Sequence, residues 1–172
     1  MKTAARAFRP PPTITLQNRQ RAIRVDLGAL QTFAARVLEA CRRLRAKKAS
    51  GLAGLDELSV VLVSDRRIAE LHRRFLHVRG PTDVITFQHG EIFVSVETAR
   101  KQARRWRTSL EHELRLYIAH GLLHLHGFDD KTAAGAAEMA RVQERLVASV
   151  STGRRIRPRS RPSSSLSLRN HS

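Results

Sequence analysis

The feature that most constrains this chain is a nearly all-apolar helical segment that carries histidines. Residues 114–125 read LRLYIAHGLLHL. A helix that is apolar on almost every side is buried rather than amphipathic. His120 and His124 lie on one face of it, because residues four apart are stacked neighbours on a helix. Since an unpaired buried polar group costs about 1–3 kcal/mol, the segment predicts a central buried helix whose imidazoles have specific partners.

A turn and two carboxylates follow this helix directly. Gly127 is a natural helix stop, because glycine tolerates the left-handed conformation, and Asp129 and Asp130 come next. Two helical imidazoles and one ligand after a turn can form a three-ligand metal site with an open position. Two histidines on a helix can also be ordinary core residues. The buried setting favours metal binding, although these residues alone leave open which carboxylate would be the ligand.

The charge of the chain predicts an anionic partner. Its 172 residues include 32 Lys and Arg against 15 Asp and Glu, which gives a net charge of +17. Nucleic acid is the simplest such partner, with an acidic membrane or a ribosomal surface as alternatives. Because the chain has one Trp and one Tyr, phosphate contact is expected rather than base stacking. A basic helix face is either a solvated surface or an RNA-binding one; it carries Arg66, Arg67, Arg73 and Arg74.

Cysteine content and hydropathy restrict the setting of the protein. The single cysteine, Cys41, excludes an intrachain disulfide framework, and no disulfide-linked partner is expected. No apolar run approaches the roughly 20 residues of a transmembrane helix. The N-terminal residues lack the apolar core of a signal peptide, because arginines and prolines interrupt them. The expected location is the cytoplasm, without membrane association.

The order of predicted elements is β-α-β-α-β-β-α-α-α, which indicates an α+β fold. We expect a single domain over residues 13–150, with a small mixed four-stranded sheet packed with about five helices. Residues 1–12 and 151–172 are expected to be a disordered basic arm and a disordered Ser/Arg-rich tail. Strands at 83–87 and 91–96 should pair antiparallel. The helix that follows Ser64 should bury Ile68, Leu71 and Phe75.

Three ordered blocks of the sequence resemble the YbeY family of endoribonucleases. Residues 120–130 read HGLLHLHGFDD, close to the family pattern HGxLHLxGYDH, where x is any residue. Residues 81–87, PTDVITF, resemble the family strand PTDVLSF, and residues 90–95, GEIFVS, resemble GDIxIS. The similarity continues in register from about Ile14 to Val150.

The resemblance implies a function and a metal site. It implies a single-strand-specific, metal-dependent endoribonuclease that acts in 16S rRNA 3′-end maturation and ribosome biogenesis, with rRNA and the small ribosomal subunit as partners. It also implies one zinc ion per chain, with His120, His124 and Asp130 as ligands. Asp129 matches the family aspartate, and its implied role is to fix the loop or support a ligand.

Two positions depart from the family pattern. Asp130 stands where the family usually has histidine, but a carboxylate oxygen is an acceptable zinc ligand. Leu76 stands where arginine is common, so Arg74 or Arg79 are the candidates to stabilise the phosphate; no other catalytic residue is assigned. His126 points away from the shared face of the other two histidines and is not expected to be a ligand.

Two other classes of function remain as alternatives. One is a non-catalytic RNA-binding ribosome-assembly factor whose metal is structural, which the leucine at position 76 and the large positive charge would fit. The other is a zinc metalloprotease, because the HxxxH spacing is shared with zincins. Their general-base glutamate would stand at Gly121, and this argues against a peptidase.

Overall fold

The computed structural model describes residues 10–46 and 50–151. Most of the two segments predicted to be disordered therefore lies outside the described residues, namely 1–9 and 152–172. The strands are Thr13–Asn18 (β1), Glu57–Val63 (β2), Val84–Phe87 (β3) and Glu91–Ser95 (β4). The α-helices are Leu27–Arg42 (α1), Asp65–Leu76 (α2), Val96–Trp106 (α3), Leu110–Leu125 (α4) and Ala133–Ser151 (α5), and Gly51–Gly54 forms a short 3₁₀ helix. The predicted α+β class and order of elements are confirmed.

The four strands form one mixed sheet in the order β1-β2-β4-β3. Strand β2 is parallel to both of its neighbours, β1 and β4. Strand β3 is antiparallel to β4, with Val84 opposite Val94 and Phe87 opposite Glu91, so the predicted antiparallel pair is confirmed. This order makes β3 an edge strand, so β3 lies where the two faces of the sheet meet.

Side-chain caps fix where four of the helices begin. Each cap oxygen accepts a hydrogen bond from a backbone N–H of the first turn, which satisfies a donor that has no partner within the helix. The four caps are Asp26, which accepts from Ala29, Ser64 from Arg67, Ser95 from Thr98 and Ser109 from His112.

One face of the sheet is covered by α4, which is flanked by α1 and α5 and lies in the main core. Gly121 is the point of closest approach between this helix and the sheet. A Cβ atom at that position would lie 2.7 Å from Ile92 Cγ2 and 3.0 Å from Thr86 Oγ1. The absence of a side chain at Gly121 therefore lets α4 pack directly on β3 and β4.

The opposite face of the sheet is covered more thinly, by α2. Its buried cluster consists of Val61, Val63, Ile68, Leu71 and Ile85. The prediction that Phe75 is buried with them is wrong, because this residue is 51% exposed. Phe75 lies in the last turn of α2, where its ring packs in a T-shaped arrangement with the ring of Phe87 at the end of the edge strand. The sheet therefore ends beneath it, and no other element within residues 10–46 and 50–151 covers it.

Two remaining sequence predictions concern the setting of the protein. Cys41 is fully buried, and burial raises the pKa of its thiol to about 12, so it remains protonated. Within residues 10–46 and 50–151, no helix combines the length and the apolar composition that crossing a bilayer requires.

Candidate metal centre

The three ligands implied by the sequence lie together in the structure. His120 and His124 are buried on α4, and Asp130 approaches them from the α4–α5 loop. The two Nε2 atoms are 2.8 Å apart, and the Asp130 carboxylate oxygens lie 4.0 Å from His120 Nε2 and 3.8 Å from His124 Nε2. Two ligand atoms of a tetrahedral zinc ion are about 3.3 Å apart. Small side-chain movements would therefore place all three at bonding distance, and the group is close enough to hold a metal ion.

The end of α4 positions Asp130, the third candidate ligand. Gly127 adopts a left-handed φ of 95°, and its N–H donates to the His124 carbonyl at 3.0 Å. Phe128 N–H donates to the Leu123 carbonyl, also at 3.0 Å. These two hydrogen bonds are the Schellman pattern that terminates a helix. They reverse the chain within three residues of the end of α4 at Leu125, so the loop residue Asp130 returns beside the histidines.

Asp129 and Gly135 fix the loop that carries Asp130. The Asp129 carboxylate accepts a hydrogen bond from Lys131 N–H at 2.7 Å. A Cβ atom at Gly135 would lie 2.5 Å from the Asp129 carbonyl oxygen. The first turn of α5 therefore packs against this loop at a distance that only glycine permits. Asp129 is held in a loop contact and is not part of the three-ligand cluster.

The hydrogen bond made by His120 Nδ1 leaves the other ring nitrogen, Nε2, free to bind a cation. His120 Nδ1 donates to Gln143 Oε1 at 2.9 Å, which leaves the lone pair on Nε2. The His124 ring forms its own hydrogen bond to the backbone of Phe128. Two imidazole nitrogens and a carboxylate therefore converge on one point. This is the borderline nitrogen and oxygen donor chemistry that zinc accepts.

Burial also keeps the two imidazoles in the form that binds metals. It lowers the pKa of His120 to about 3, and the neighbouring His124 acts in the same direction. Burial likewise lowers the pKa of His124, although the Asp130 charge opposes the shift. Both rings are therefore neutral at pH 7, and a neutral imidazole is the ligand form. Burial raises the pKa of the Asp130 carboxyl, a change that a bound cation would counteract.

Two polar residues near the site were missed by the sequence analysis. Gln143 is 2% exposed, and it lies between Val142 and Leu146 on the buried stripe of α5, so a polar residue in an apolar stripe was the available signal. Asp83 precedes β3; burial raises its pKa to about 6, and the Asp130 charge adds to this shift. Nothing in its local sequence indicated that Asp83 would lie in the electrostatic range of Asp130.

His126 and Arg74 lie away from the three candidate metal ligands. His126 Nε2 donates to the Leu44 carbonyl at 2.9 Å, and its Nδ1 accepts from Ser50 Oγ at 3.0 Å. His126 therefore links the end of α4 to the segment that follows α1. This agrees with the prediction that its side chain points away from the face of His120 and His124. Arg74 lies over the ring of Phe75 on the α2 side of the sheet. Arg79 is exposed in the loop before β3, and its predicted contact with the phosphate stays a prediction.

Fold and site together define an α+β protein with a candidate His₂Asp metal centre at the end of a buried helix. Residues 15–151 match the family described as "Endoribonuclease YbeY". The chain therefore belongs to the YbeY family.

Individual relatives agree with this assignment. A protein of Moorella thermoacetica named Endoribonuclease YbeY is 40% identical over 134 residues, which cover 67% of this chain and 83% of the relative. One of the same name from Anaeromyxobacter sp. (strain Fw109-5) is 40% identical over 121 residues, or 62% of this chain and 63% of the relative. The solution structure of a Thermotoga maritima protein superposes with a TM-score of 0.57 at 26% identity, covering 80% of this chain and 89% of that one.

Proposed function

We propose that this protein is a metal-dependent endoribonuclease that acts in rRNA processing. The observation that carries the proposal is the convergence of His120, His124 and Asp130, three positions of the family motif, on one point. The relatives at 40% identity are named as endoribonucleases, and the net charge of +17 suits an RNA substrate. We further propose single-stranded regions of rRNA, in particular the 3′ end of 16S rRNA on the small ribosomal subunit in the cytoplasm, as the target.

In this proposal His120, His124 and Asp130 hold one zinc ion per chain. A zinc ion there would supply Lewis acidity, which makes a water molecule acidic enough to attack a phosphodiester near neutral pH. Gln143 orients His120 by accepting its Nδ1 proton, so that Nε2 faces the site. Asp129 holds the loop that delivers Asp130. The negative charge of Asp130 binds the cation more strongly than a third imidazole would, but makes that water somewhat less acidic.

The two alternative classes are not favoured. Gly121 occupies the position of the zincin general base and packs against Ile92 and Thr86, so the helix offers no peptidase glutamate there. A non-catalytic assembly factor would need a metal that only stabilises the fold. The matched family is described by a nuclease activity, and this supports the enzyme instead.

The test is cleavage of a labelled single-stranded RNA by purified protein, followed on a gel. Cleavage should disappear with a chelator, return with zinc, and be absent in His124→Ala. His112→Ala is the matched control, because it removes an imidazole from the same helix outside the ligand cluster, and it should cleave normally. Cleavage that survives both the chelator and His124→Ala would show that the candidate centre does not perform the reaction.

A further inference from the structure

A cleft lies on the α2 side of the sheet, on the face opposite α4. It has a volume of about 710 Å³ and opens between α2 and the ends of β3 and β4. Its apolar walls are the rings of Phe75, Phe87 and Phe93, and we call it the aromatic groove. None of the three candidate metal ligands lines it. The groove is thus a separate feature from the metal centre, and the proposed cleavage reaction does not use it.

The aromatic rings of the groove form a continuous and partly exposed surface. The Phe87 ring packs in a T-shaped arrangement with Phe75 and with Phe93, at 5.4 Å and 5.9 Å between ring centroids. The exposed ring of His89 stacks on Phe87 at 5.5 Å with an interplanar angle of 22°. Three of the six phenylalanines of the chain are gathered here, and Phe75 is half exposed. Exposed, clustered aromatic rings are typical of binding surfaces.

Positive charge surrounds these rings. Glu70 forms ion pairs with Arg66 and Arg67, and the Glu91 carboxylate accepts a hydrogen bond from His89 Nε2 at 2.7 Å, so both carboxylates of the groove already have contacts. Among the described residues, Arg73 and Arg74 form no ion pair. The Arg74 guanidinium instead lies 5.4 Å from the centroid of the Phe75 ring. The groove therefore combines an aromatic floor with two arginines available to an anion.

We propose that the aromatic groove binds single-stranded RNA, with one or two bases stacked on Phe75 and Phe87 and the adjoining phosphates held by Arg73 and Arg74. Aromatic stacking beside a basic rim is how proteins hold single strands without reading their sequence, and arginine over an aromatic ring extends the stacking surface. An acidic peptide would satisfy the arginines and leave the rings unused. The choice of RNA rests on the proposed function, but the groove itself does not depend on the metal centre.

The consequence is a two-site arrangement for RNA. The metal centre lies on the α4 side of the sheet and the aromatic groove on the α2 side, and an RNA strand that occupies both would pass around the edge strand β3, which borders the groove. The groove would hold a single-stranded segment away from the cleaved bond. Loss of the groove should therefore weaken binding, while cleavage at saturating RNA is retained.

The experiment measures the affinity of the full chain for a fluorescently labelled oligouridylate by anisotropy, with chelator present so that no RNA is cut. Phe75→Ala should weaken binding about 5- to 150-fold, the effect of losing one stacked base. Phe75→Trp should bind as the unmodified protein does, because it keeps a stacking ring. Arg73→Ala should weaken binding more than Arg36→Ala, an exposed arginine on α1 that removes the same charge outside the groove.

The outcomes separate this inference from the proposed nuclease. RNA binding that is unchanged in Phe75→Ala and equal in the two arginine variants would overturn the inference and leave the groove to a protein partner. Absence of RNA binding by the unmodified chain would overturn it as well. Groove-dependent binding without zinc-dependent cleavage would support the inference while contradicting the nuclease. Phe75 is half exposed, so Phe75→Ala should remain folded, and a thermal unfolding scan checks this.

Discussion

The two faces of the sheet differ in how deeply their residues are buried and in what their polar groups do. On the α4 face, His120, His124 and Gln143 are buried, and both imidazoles are oriented by hydrogen bonds, His120 to Gln143 and His124 to the backbone of Phe128. On the α2 face, Phe75 is 51% exposed and the arginines around it face solvent. The first face fixes a few donor atoms within a dense core. The second face offers a broad surface that is exposed to solvent.

The contrast suggests a division between chemistry and recognition. A metal ligand must be held within a few tenths of an ångström, which packing and hydrogen bonds to its ring provide. Contact with a flexible single strand needs rings and charges, but no fixed geometry. In this account the α4 face carries the reaction and the α2 face holds the RNA.

The largest effect we expect concerns stability. Leu122 is fully buried on the α4 face, so Leu122→Ala should lower the free energy of unfolding by about 3–5 kcal/mol through the cavity it leaves. Phe75→Ala should lower it by less than about 1 kcal/mol, since much of that ring is already in water. Denaturant titration of both variants with chelator present checks the difference. Equal losses would show that Phe75 belongs to the core and would remove the contrast between the faces.

An intermediate effect is expected on zinc affinity from the residue behind His120. Gln143→Leu removes the acceptor of the Nδ1 proton and should weaken zinc binding about 10- to 100-fold, the usual cost of losing such a partner. Gln143→Glu keeps an acceptor and should retain the affinity. Competition with a chromophoric chelator measures both. Undiminished affinity in the leucine variant would mean that the helix alone orients His120.

The smallest expected effect is on the pH dependence of stability, to which Asp83 and Asp65 should contribute with opposite signs. Burial raises the pKa of Asp83 from 3.8 to about 6, so its contribution to stability is complete below pH 3.8 and is lost as the pH rises through 6. Asp83→Asn keeps the acceptor for Val84 N–H and Thr82 Oγ1. It should therefore stabilise the metal-free protein by about 1–2 kcal/mol at pH 7 and have little effect near pH 4.

Asp65, in the first turn of α2, is the matched control for Asp83. Burial opposes its ionisation, but hydrogen bonds from Lys101, Ser95 and Thr98 lower its pKa overall. Its stabilising contribution is present above its unfolded pKa and is lost as the pH falls through the lowered value. Asp65→Asn should therefore destabilise the protein at pH 7. The same sign for both variants, in unfolding curves between pH 4 and 8, would contradict these assignments.

The α4 face could be predicted from the sequence because its signals are local. The apolar run to Leu125, the i, i+4 histidines and the glycine at 127 act within one helix and its end. Residues whose importance depends on tertiary position could not be predicted in the same way. Gln143 contacts His120 from a position 23 residues further along the chain. Asp83 precedes β3, and the charge of Asp130, in the loop after α4, raises its pKa.

The α2 face shows what the helical spacing of apolar residues cannot predict. Ile68, Leu71 and Phe75 share one helical spacing, and it predicted burial for all three. The spacing does not reveal where the sheet beneath the helix ends. That depends on the order β1-β2-β4-β3, which places β3 at the edge, and the order of strands is not visible in the order of elements along the chain. Phe75, for which burial was wrongly predicted, is the residue on which the aromatic groove depends.

The central claim, that one metal ion is held by His120, His124 and Asp130, is tested most directly by metal content. Elemental mass spectrometry should be applied to protein purified without an affinity metal, as the unmodified chain, His124→Ala and Asp130→Ala, with His112→Ala as the control. The account predicts about one zinc ion per chain in the unmodified protein and the control, and its loss from the other two variants while they remain folded. An unmodified protein without metal, or variants that keep a full complement, would contradict it.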